Sequence, residues 1–124
     1  MDMNPLNVII VEDSEDDLVL ILRALKKAGY EPSYTRVETA AGLKDALADD
    51  NWQMVISDHS MPAFSAPEAL ETLKESGRNL PFVIASGTID EKFAATIIEN
   101  GADDYVDKRD LSSLVSAVKR VLTK

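Results

Sequence analysis

Five residues with reactive or charged side chains follow short apolar runs of the chain: Glu12, Asp13, Asp58, Ser86 and Lys108. Carboxylates held close together repel one another and raise one another's pKa values, and a divalent cation and a lysine relieve that conflict. Mg²⁺ suits such oxygen ligands because it keeps several of its waters. An aspartate between a metal ion and an ammonium group can attack a phosphoryl group, with a serine donating to a phosphoryl oxygen. These residue types therefore suggest reversible phosphorylation of an aspartate.

The runs that precede these residues predict strands. Residues 8–11, 54–57 and 82–85 are typical of strands buried on both faces, and residues 33–37 and 105–106 predict two further strands. Apolar residues with helical period lie between them. They predict five helices. The first is capped by Ser14 and stopped by Gly29, the second is capped by Thr39, and the third covers residues 68–75. The fourth is capped by Asp90 and ended by Gly101, and the fifth covers residues 111–122.

Strands and helices that alternate at this spacing form βαβ units. The sequence therefore predicts an α/β fold: a doubly wound, five-stranded parallel sheet in the order 2-1-3-4-5 with five helices, which is flavodoxin-like. In such a sheet ligands bind at the carboxyl ends of the strands, beside the point where the strand order reverses. The five residues named above would converge on that edge.

Composition narrows the class of protein. The 124 residues predict one domain over 1–124, and the formal net charge of −9 argues against contact with nucleic acid or with an anionic membrane surface. The absence of cysteine excludes thiol chemistry and fits a reducing cytoplasm. No apolar run approaches the roughly 20 residues of a membrane span, and the first five residues do not predict a secretory signal. We therefore expect a cytoplasmic domain.

Each polar residue also has a purely structural interpretation. Acids before a helix complement its dipole, and for Asp16 and Asp17 that is the preferred interpretation. His59 is the one histidine of the chain and is expected to be an exposed loop residue. Only the joint placement of the acids, the serine and the lysine after four of the five strands favours a functional site.

Four stretches of the sequence resemble the receiver domain of two-component response regulators, such as the chemotaxis regulator and the receivers of multidomain sensory proteins. They are residues 8–13, 55–62, 82–87 and 101–108, in the order and spacing of that family, and the resemblance covers residues 7–122. It implies that Asp58 accepts a phosphoryl group from the phosphohistidine of a histidine kinase or of a histidine phosphotransfer protein. A receiver catalyses this transfer and the later hydrolysis on itself, so it is not an enzyme that turns over an external substrate.

The resemblance also implies roles for individual residues. Asp13, Asp58 and the carbonyl of Ser60 would bind Mg²⁺, with Glu12 acting through water and Mn²⁺ tolerated. Lys108 would contact the phosphoryl group, Ser86 would be the switch hydroxyl and Tyr105 the switch aromatic. The signal would leave through the face formed by the fourth helix, fifth strand and fifth helix, where a second copy in a homodimer or an output domain would bind.

One departure from the family pattern affects the backbone. Arg109 follows Lys108, where the family usually has proline after a cis bond. A cis bond before any other residue costs about 2.5–4 kcal/mol, so we expect the bond between Lys108 and Arg109 to be trans.

Other functions remain open on the same fold. A phosphorylation-independent interaction module would have no need of the cluster of acids and lysine. A phosphatase with an aspartyl intermediate usually needs an acid two residues after its nucleophile, where this chain has Ser60. A flavin carrier needs a loop of Ser, Thr and Gly after the first strand to bind phosphate, and the acidic stretch from Glu12 to Asp17 would repel a phosphate there. The chain is either a stand-alone receiver or part of a larger protein.

Overall fold

Five parallel strands form one sheet in the computed structural model, which describes residues 3–59, 61, 64–87 and 90–123. The strands are β1 (Asn4–Val11), β2 (Tyr30–Val37), β3 (Met54–Asp58), β4 (Phe82–Ser86) and β5 (Asp104–Asp107). Their order is β2-β1-β3-β4-β5, and every neighbouring pair is parallel. The predicted fold class and strand order are confirmed.

Five helices connect the strands and cover both faces of the sheet. They are α1 (Glu15–Lys27), α2 (Ala40–Leu47), α3 (Ala66–Glu75), α4 (Glu91–Glu99) and α5 (Leu111–Leu122). The three predicted caps are confirmed, because the side chains of Ser14, Thr39 and Asp90 accept hydrogen bonds from backbone N–H groups of the first turn. Gly29 and Gly101 have φ values of 97° and 120° after α1 and α4, a conformation that favours glycine and ends both helices.

The core has one layer on each side of the sheet. Alternate residues of the central strands face opposite layers, so Ile9 packs towards α2, α3 and α4 while Ile10 packs towards α1 and α5. All five residues of β3 and all five of β4 are buried. Full burial of a Val, Leu or Ile side chain contributes about 1.5–3 kcal/mol, so these strands provide a rigid base for the residues that follow them.

The two strands at one edge are longer than predicted. β1 begins at Asn4 and β2 at Tyr30, and the two pair from those residues onwards. The residues added to each strand are mostly polar or proline, so no apolar run marks them, and backbone pairing alone makes them strand. Pro32 is tolerated because β2 is an edge strand.

No helix in the described part of the chain is both long and apolar enough to cross a membrane.

Candidate functional site

The register of the sheet brings four strand ends level with one another. Val11 pairs with Ser57, Asp58 pairs with Ala85, and Ser86 pairs with Asp107. The residues that end these strands or follow them therefore lie along one edge, as predicted: Glu12, Asp13, Asp58, Ser86 and Lys108. Two backbone hydrogen bonds fix the edge, from Glu12 N to the Val37 carbonyl at 3.1 Å and from Lys108 N to the Ser86 carbonyl at 2.8 Å.

Three carboxylates form a group that could bind a metal ion. Glu12, Asp13 and Asp58 each place an oxygen within 4.8 Å of the other two. Glu12 and Asp58 are 1% and 6% exposed, whereas Asp13 is exposed to solvent. Two buried acids and one open to water fit a cation that retains part of its hydration shell, which is the usual behaviour of Mg²⁺.

Lys108 provides the positive charge of the site. Its Nζ atom lies 2.6 Å from Glu12 Oε1, 2.6 Å from Asp17 Oδ2 and 3.3 Å from Asp58 Oδ2. Burial alone would lower the pKa of the Lys108 amine, but the short contacts with the carboxylates of Asp17 and Glu12 outweigh burial and raise that pKa. Lys108 is therefore charged at neutral pH and is shared among three carboxylates.

Glu12 is the most buried of the three acids in the metal-binding group. Burial raises the pKa of the Glu12 carboxyl to about 7, although Lys108 and a hydrogen bond from Ser14 N to Oε2, 3.1 Å long, oppose that rise. Glu12 Oε1 is buried and lies 2.6 Å from Lys108 Nζ, so the ammonium compensates the charge of that oxygen when the carboxyl is ionised. Without a metal ion, Glu12 therefore titrates near neutral pH.

Asp17 also belongs to the site, which corrects the sequence interpretation. It was expected only to complement the dipole of α1, and it does lie in the first turn, but its carboxylate also contacts Lys108. A signal for this was present in the sequence. Asp17 is four residues before Ile21 and eight before Leu25, which are both buried, so it continues the inner stripe of α1 towards the edge of the sheet.

His59 also differs from expectation, because it is half-buried instead of exposed. Its ring stacks on Phe93 of α4 with a centroid distance of 3.9 Å, and it lies 6.4 Å from the ring of Tyr105 in β5. Phe93 and Tyr105 meet edge to face at 5.6 Å. His59 Nδ1 is buried and has no hydrogen-bond partner within the described residues. We call these three residues the aromatic cluster; it joins the residue after Asp58 to α4 and β5.

The remaining predicted site residues lie as follows. Ser86 is fully buried at the end of β4, and Tyr105 is half-buried in β5. Ser60 lies outside the described residues. The described residues contain no cis peptide bond, so the bond between Lys108 and Arg109 is trans, as predicted.

Comparison with known proteins identifies a family that matches most of the chain. The model of the response regulator receiver domain matches residues 8–119. The transcriptional regulatory protein PrrA of Mycobacterium leprae is 29% identical over 120 residues, which are 94% of this chain and 50% of PrrA. The two-component response regulator ORR3 of Oryza sativa is 30% identical over 122 residues, which are 95% of this chain and 92% of ORR3. The chain thus spans about half the length of PrrA and nearly all of ORR3.

Solved structures share the fold. The structure of FixJ-N has a TM-score of 0.81 at 23% identity, covering 98% of this chain and 96% of that one. The receiver domain of a Pseudomonas aeruginosa sensor histidine kinase has a TM-score of 0.78 at 18% identity, covering 97% of this chain and 99% of that one. That receiver has a magnesium ion coordinated in its active site cleft.

Proposed function

This chain belongs to the response regulator receiver domain family, and on that premise we propose that it is a switch which accepts a phosphoryl group on Asp58. Domains of this family are signalling switches of two-component systems, not enzymes that turn over an external substrate. One observation carries the proposal. The Asp58 carboxylate is 6% exposed, lies 3.3 Å from the Lys108 ammonium, and has an oxygen within 4.8 Å of the carboxylates of Glu12 and Asp13.

The phosphoryl donor is the phosphohistidine of a histidine kinase or of a histidine phosphotransfer protein. A carboxylate oxygen of Asp58 attacks the phosphorus atom, and the bond between phosphorus and the donor's imidazole nitrogen breaks. The electron pair of that bond stays on the imidazole, and Asp58 becomes an acyl phosphate. Water later attacks the phosphorus and releases inorganic phosphate, which restores the carboxylate. Lys108 offsets the charge of the phosphoryl oxygens as a compact ammonium.

The cofactor of this site is Mg²⁺, and Mn²⁺ is tolerated because both accept hard oxygen ligands. Asp13, Asp58 and the carbonyl of Ser60 would hold the ion, and Glu12 would act through water. When bound, the ion offsets the charge that builds up on the phosphoryl oxygens. The group of three carboxylates supports this assignment, as does the magnesium ion in the Pseudomonas aeruginosa receiver.

The phosphorylated state is relayed to the face formed by α4, β5 and α5. A phosphoryl group brings about two negative charges at neutral pH, and the hydroxyl of Ser86 turns towards them. Tyr105 then turns inward. The aromatic cluster supports this route, because the residue after Asp58 stacks directly on α4 and lies beside Tyr105.

Residues 1–124 act as one receiver domain in the cytoplasm, without contact with nucleic acid or membrane. The face of α4, β5 and α5 binds either a second copy in a homodimer or an output domain. On α4, Ile98 offers such a partner a large apolar side chain that is 44% exposed, and Val19 and Leu20 of α1 are exposed to a similar degree.

The deciding experiment is incubation with phosphoramidate or acetyl phosphate and Mg²⁺, followed by intact mass measurement. The wild type should gain one phosphoryl group and Asp58→Asn none, while Asp49→Asn, which changes an exposed acid far from the site, should behave as wild type. A fully labelled Asp58→Asn variant would contradict the assignment. A wild type that gains nothing would favour the phosphorylation-independent interaction module.

A further inference from the structure

Among the residues that the structure describes, the site contains one ammonium group and four carboxylates. Three of these, on Glu12, Asp17 and Asp58, lie within 3.3 Å of Lys108 Nζ, and the fourth, on Asp13, joins the metal-binding group. Lys108 lies closer to Glu12 and Asp17 than to Asp58. A phosphoryl group on Asp58 must therefore compete for the ammonium with carboxylates that already hold it.

Burial distinguishes the partners that Lys108 can give up. The side chains of Glu12 and Asp58 are 1% and 6% exposed, whereas that of Asp17 is 37% exposed. A buried carboxylate that loses its cation is left without solvation, which is costly, whereas water can solvate Asp17 if the ammonium leaves. Asp17 is thus the partner that can be exchanged.

Local structure holds Asp17 in this place. Ser14 accepts a hydrogen bond from Asp17 N through its Oγ atom at 3.3 Å, and its own N–H donates to Glu12 Oε2 at 3.1 Å. Ser14 therefore fixes both the first turn of α1, which contains Asp17, and the carboxylate of Glu12, which is the other close partner of Lys108.

We propose that Asp17 is a positioning residue that competes with the phosphoryl group on Asp58 for Lys108 and thereby weakens the phosphorylated state. This inference rests on the proposed function of Asp58. In the unphosphorylated protein Asp17 and Glu12 hold the ammonium. When the phosphoryl group is present, Lys108 exchanges its contact with Asp17 for one with a phosphoryl oxygen, and water takes its place at Asp17. The negative charge of Asp17 also repels the phosphoryl oxygens.

The test uses beryllofluoride, a mimic of the aspartyl phosphate, and a neighbouring acid as control. Asp16 precedes Asp17 in the same turn of α1, is exposed, and has no ion pair within the described residues. Asp16→Asn and Asp17→Asn therefore remove the same charge from the helix terminus, but only Asp17→Asn removes the contact with Lys108. Dissociation constants are measured by calorimetry at saturating Mg²⁺ for each variant.

Asp17→Asn should bind beryllofluoride about two- to fivefold more tightly than wild type, the range expected for a partly exposed ion pair. Asp16→Asn should change the affinity less than about 1.5-fold, because exposed charges at a distance are screened. Equal effects of the two substitutions, or weaker binding by Asp17→Asn, would overturn the proposal.

A double-mutant cycle ties the effect to Lys108. In a Lys108→Met background, Asp17→Asn and Asp16→Asn should have the same effect, because the group for which Asp17 competes is gone. Fluorine spectra at millimolar protein concentration extend the measurement to weak binding. In those spectra the fluorine that faces Lys108 should shift in Asp17→Asn and not in Asp16→Asn. An undiminished effect of Asp17→Asn without Lys108 would refute the competition.

The two proposals fail separately. If the wild type binds beryllofluoride and Asp58→Asn does not, the proposed function stands whatever Asp17 does. If the wild type does not bind beryllofluoride and gains no phosphoryl group, the proposed function itself fails.

Discussion

The two chain neighbours of Lys108 bind each other: the guanidinium of Arg109 pairs with the carboxylate of Asp107. Nε lies 3.0 Å from Oδ1 and one terminal nitrogen lies 3.0 Å from Oδ2, while the backbone N of Arg109 donates to Oδ1 at 2.9 Å. The pairing lowers the pKa of Asp107, so the carboxylate stays charged at neutral pH. Arg109 thus stabilises the turn that presents Lys108, at the position where the family usually has proline.

Removing this guanidinium should loosen the turn. Arg109→Ala keeps the backbone hydrogen bond to Asp107 but loses both side-chain hydrogen bonds. We expect faster amide hydrogen exchange at residues 108–110 and slower phosphorylation by phosphoramidate, with Mg²⁺ affinity unchanged. The control is Arg120→Ala, which removes an arginine of α5 that pairs with Asp104 of β5. It should leave amide exchange at residues 108–110 unchanged. Unaltered exchange in Arg109→Ala would show that the backbone alone holds the turn.

Mg²⁺ should stabilise the folded protein through its binding to the carboxylates. At ten times the dissociation constant, the free energy of unfolding should rise by about 1.4 kcal/mol. For a chain of this size that is a rise in melting temperature of roughly 3–6 °C. Asp13→Ala should lose this response and Asp49→Ala should keep it, since only Asp13 belongs to the metal-binding group. A wild type that melts at the same temperature in tens of millimolar Mg²⁺, well above the modest affinity assumed here, would contradict the site.

Glu12 should make the stability of the metal-free protein depend on pH. Its pKa is about 7 in the folded protein against 4.5 for the ordinary side chain, so between these values the folded state binds more protons than the unfolded state. The stabilisation is therefore complete below pH 4.5 and is lost as the pH rises to about 7. Chemical denaturation across that range should show this loss of stability in wild type but not in Glu12→Gln, because the variant cannot ionise at this position.

The control for this prediction is Glu71→Gln, which changes an exposed acid of α3. It should follow the wild-type pH profile. Mg²⁺ requires the ionised carboxylate, so its stabilising effect on wild type should grow as the pH rises towards 7. A Glu12→Gln variant with the same pH profile as wild type would show that Glu12 is already ionised in the metal-free protein.

The relay should depend on Ser86. Beryllofluoride should shift the amide signals of α4 and of Tyr105 as well as those of the loops that contain Asp13, Asp58 and Lys108. Ser86→Ala should still accept a phosphoryl group but lose the distant shifts, because its hydroxyl no longer turns towards the phosphoryl group. Shifts confined to those loops in the wild type would contradict the relay.

The aromatic cluster should contribute to the same relay. His59→Ala removes the ring that stacks on Phe93 and should reduce the shifts in α4. It should also cost about 1 kcal/mol of stability, the usual contribution of an aromatic pair. His59→Phe keeps a flat ring at the position and should preserve both the shifts in α4 and the stability of the wild type. If His59→Ala retains the wild-type shifts in α4, the signal does not pass through this ring.

Much of the fold follows from the sequence itself. Short apolar runs rich in β-branched residues are typical of the central strands of a covered parallel sheet, and the spacing between them leaves room for one helix each. Glu12, Asp13 and Lys108 follow strands directly, and Asp58 and Ser86 end them. Their convergence on one edge therefore follows from chain order alone. The caps at Ser14, Thr39 and Asp90 could also be predicted from the sequence, because each depends on only a few neighbouring residues.

The tertiary structure decided which side chains touch within that edge. Asp16 and Asp17 are chemically identical neighbours, and only the rotation of α1 over the sheet makes Asp17 a partner of Lys108. His59 is half-buried because α4 brings Phe93 against it from 34 positions along the chain, a distance that no local pattern encodes. Strand and helix identity depends on the periodicity of near neighbours, whereas these contacts depend on how separate elements pack, and packing is settled only when the whole chain folds.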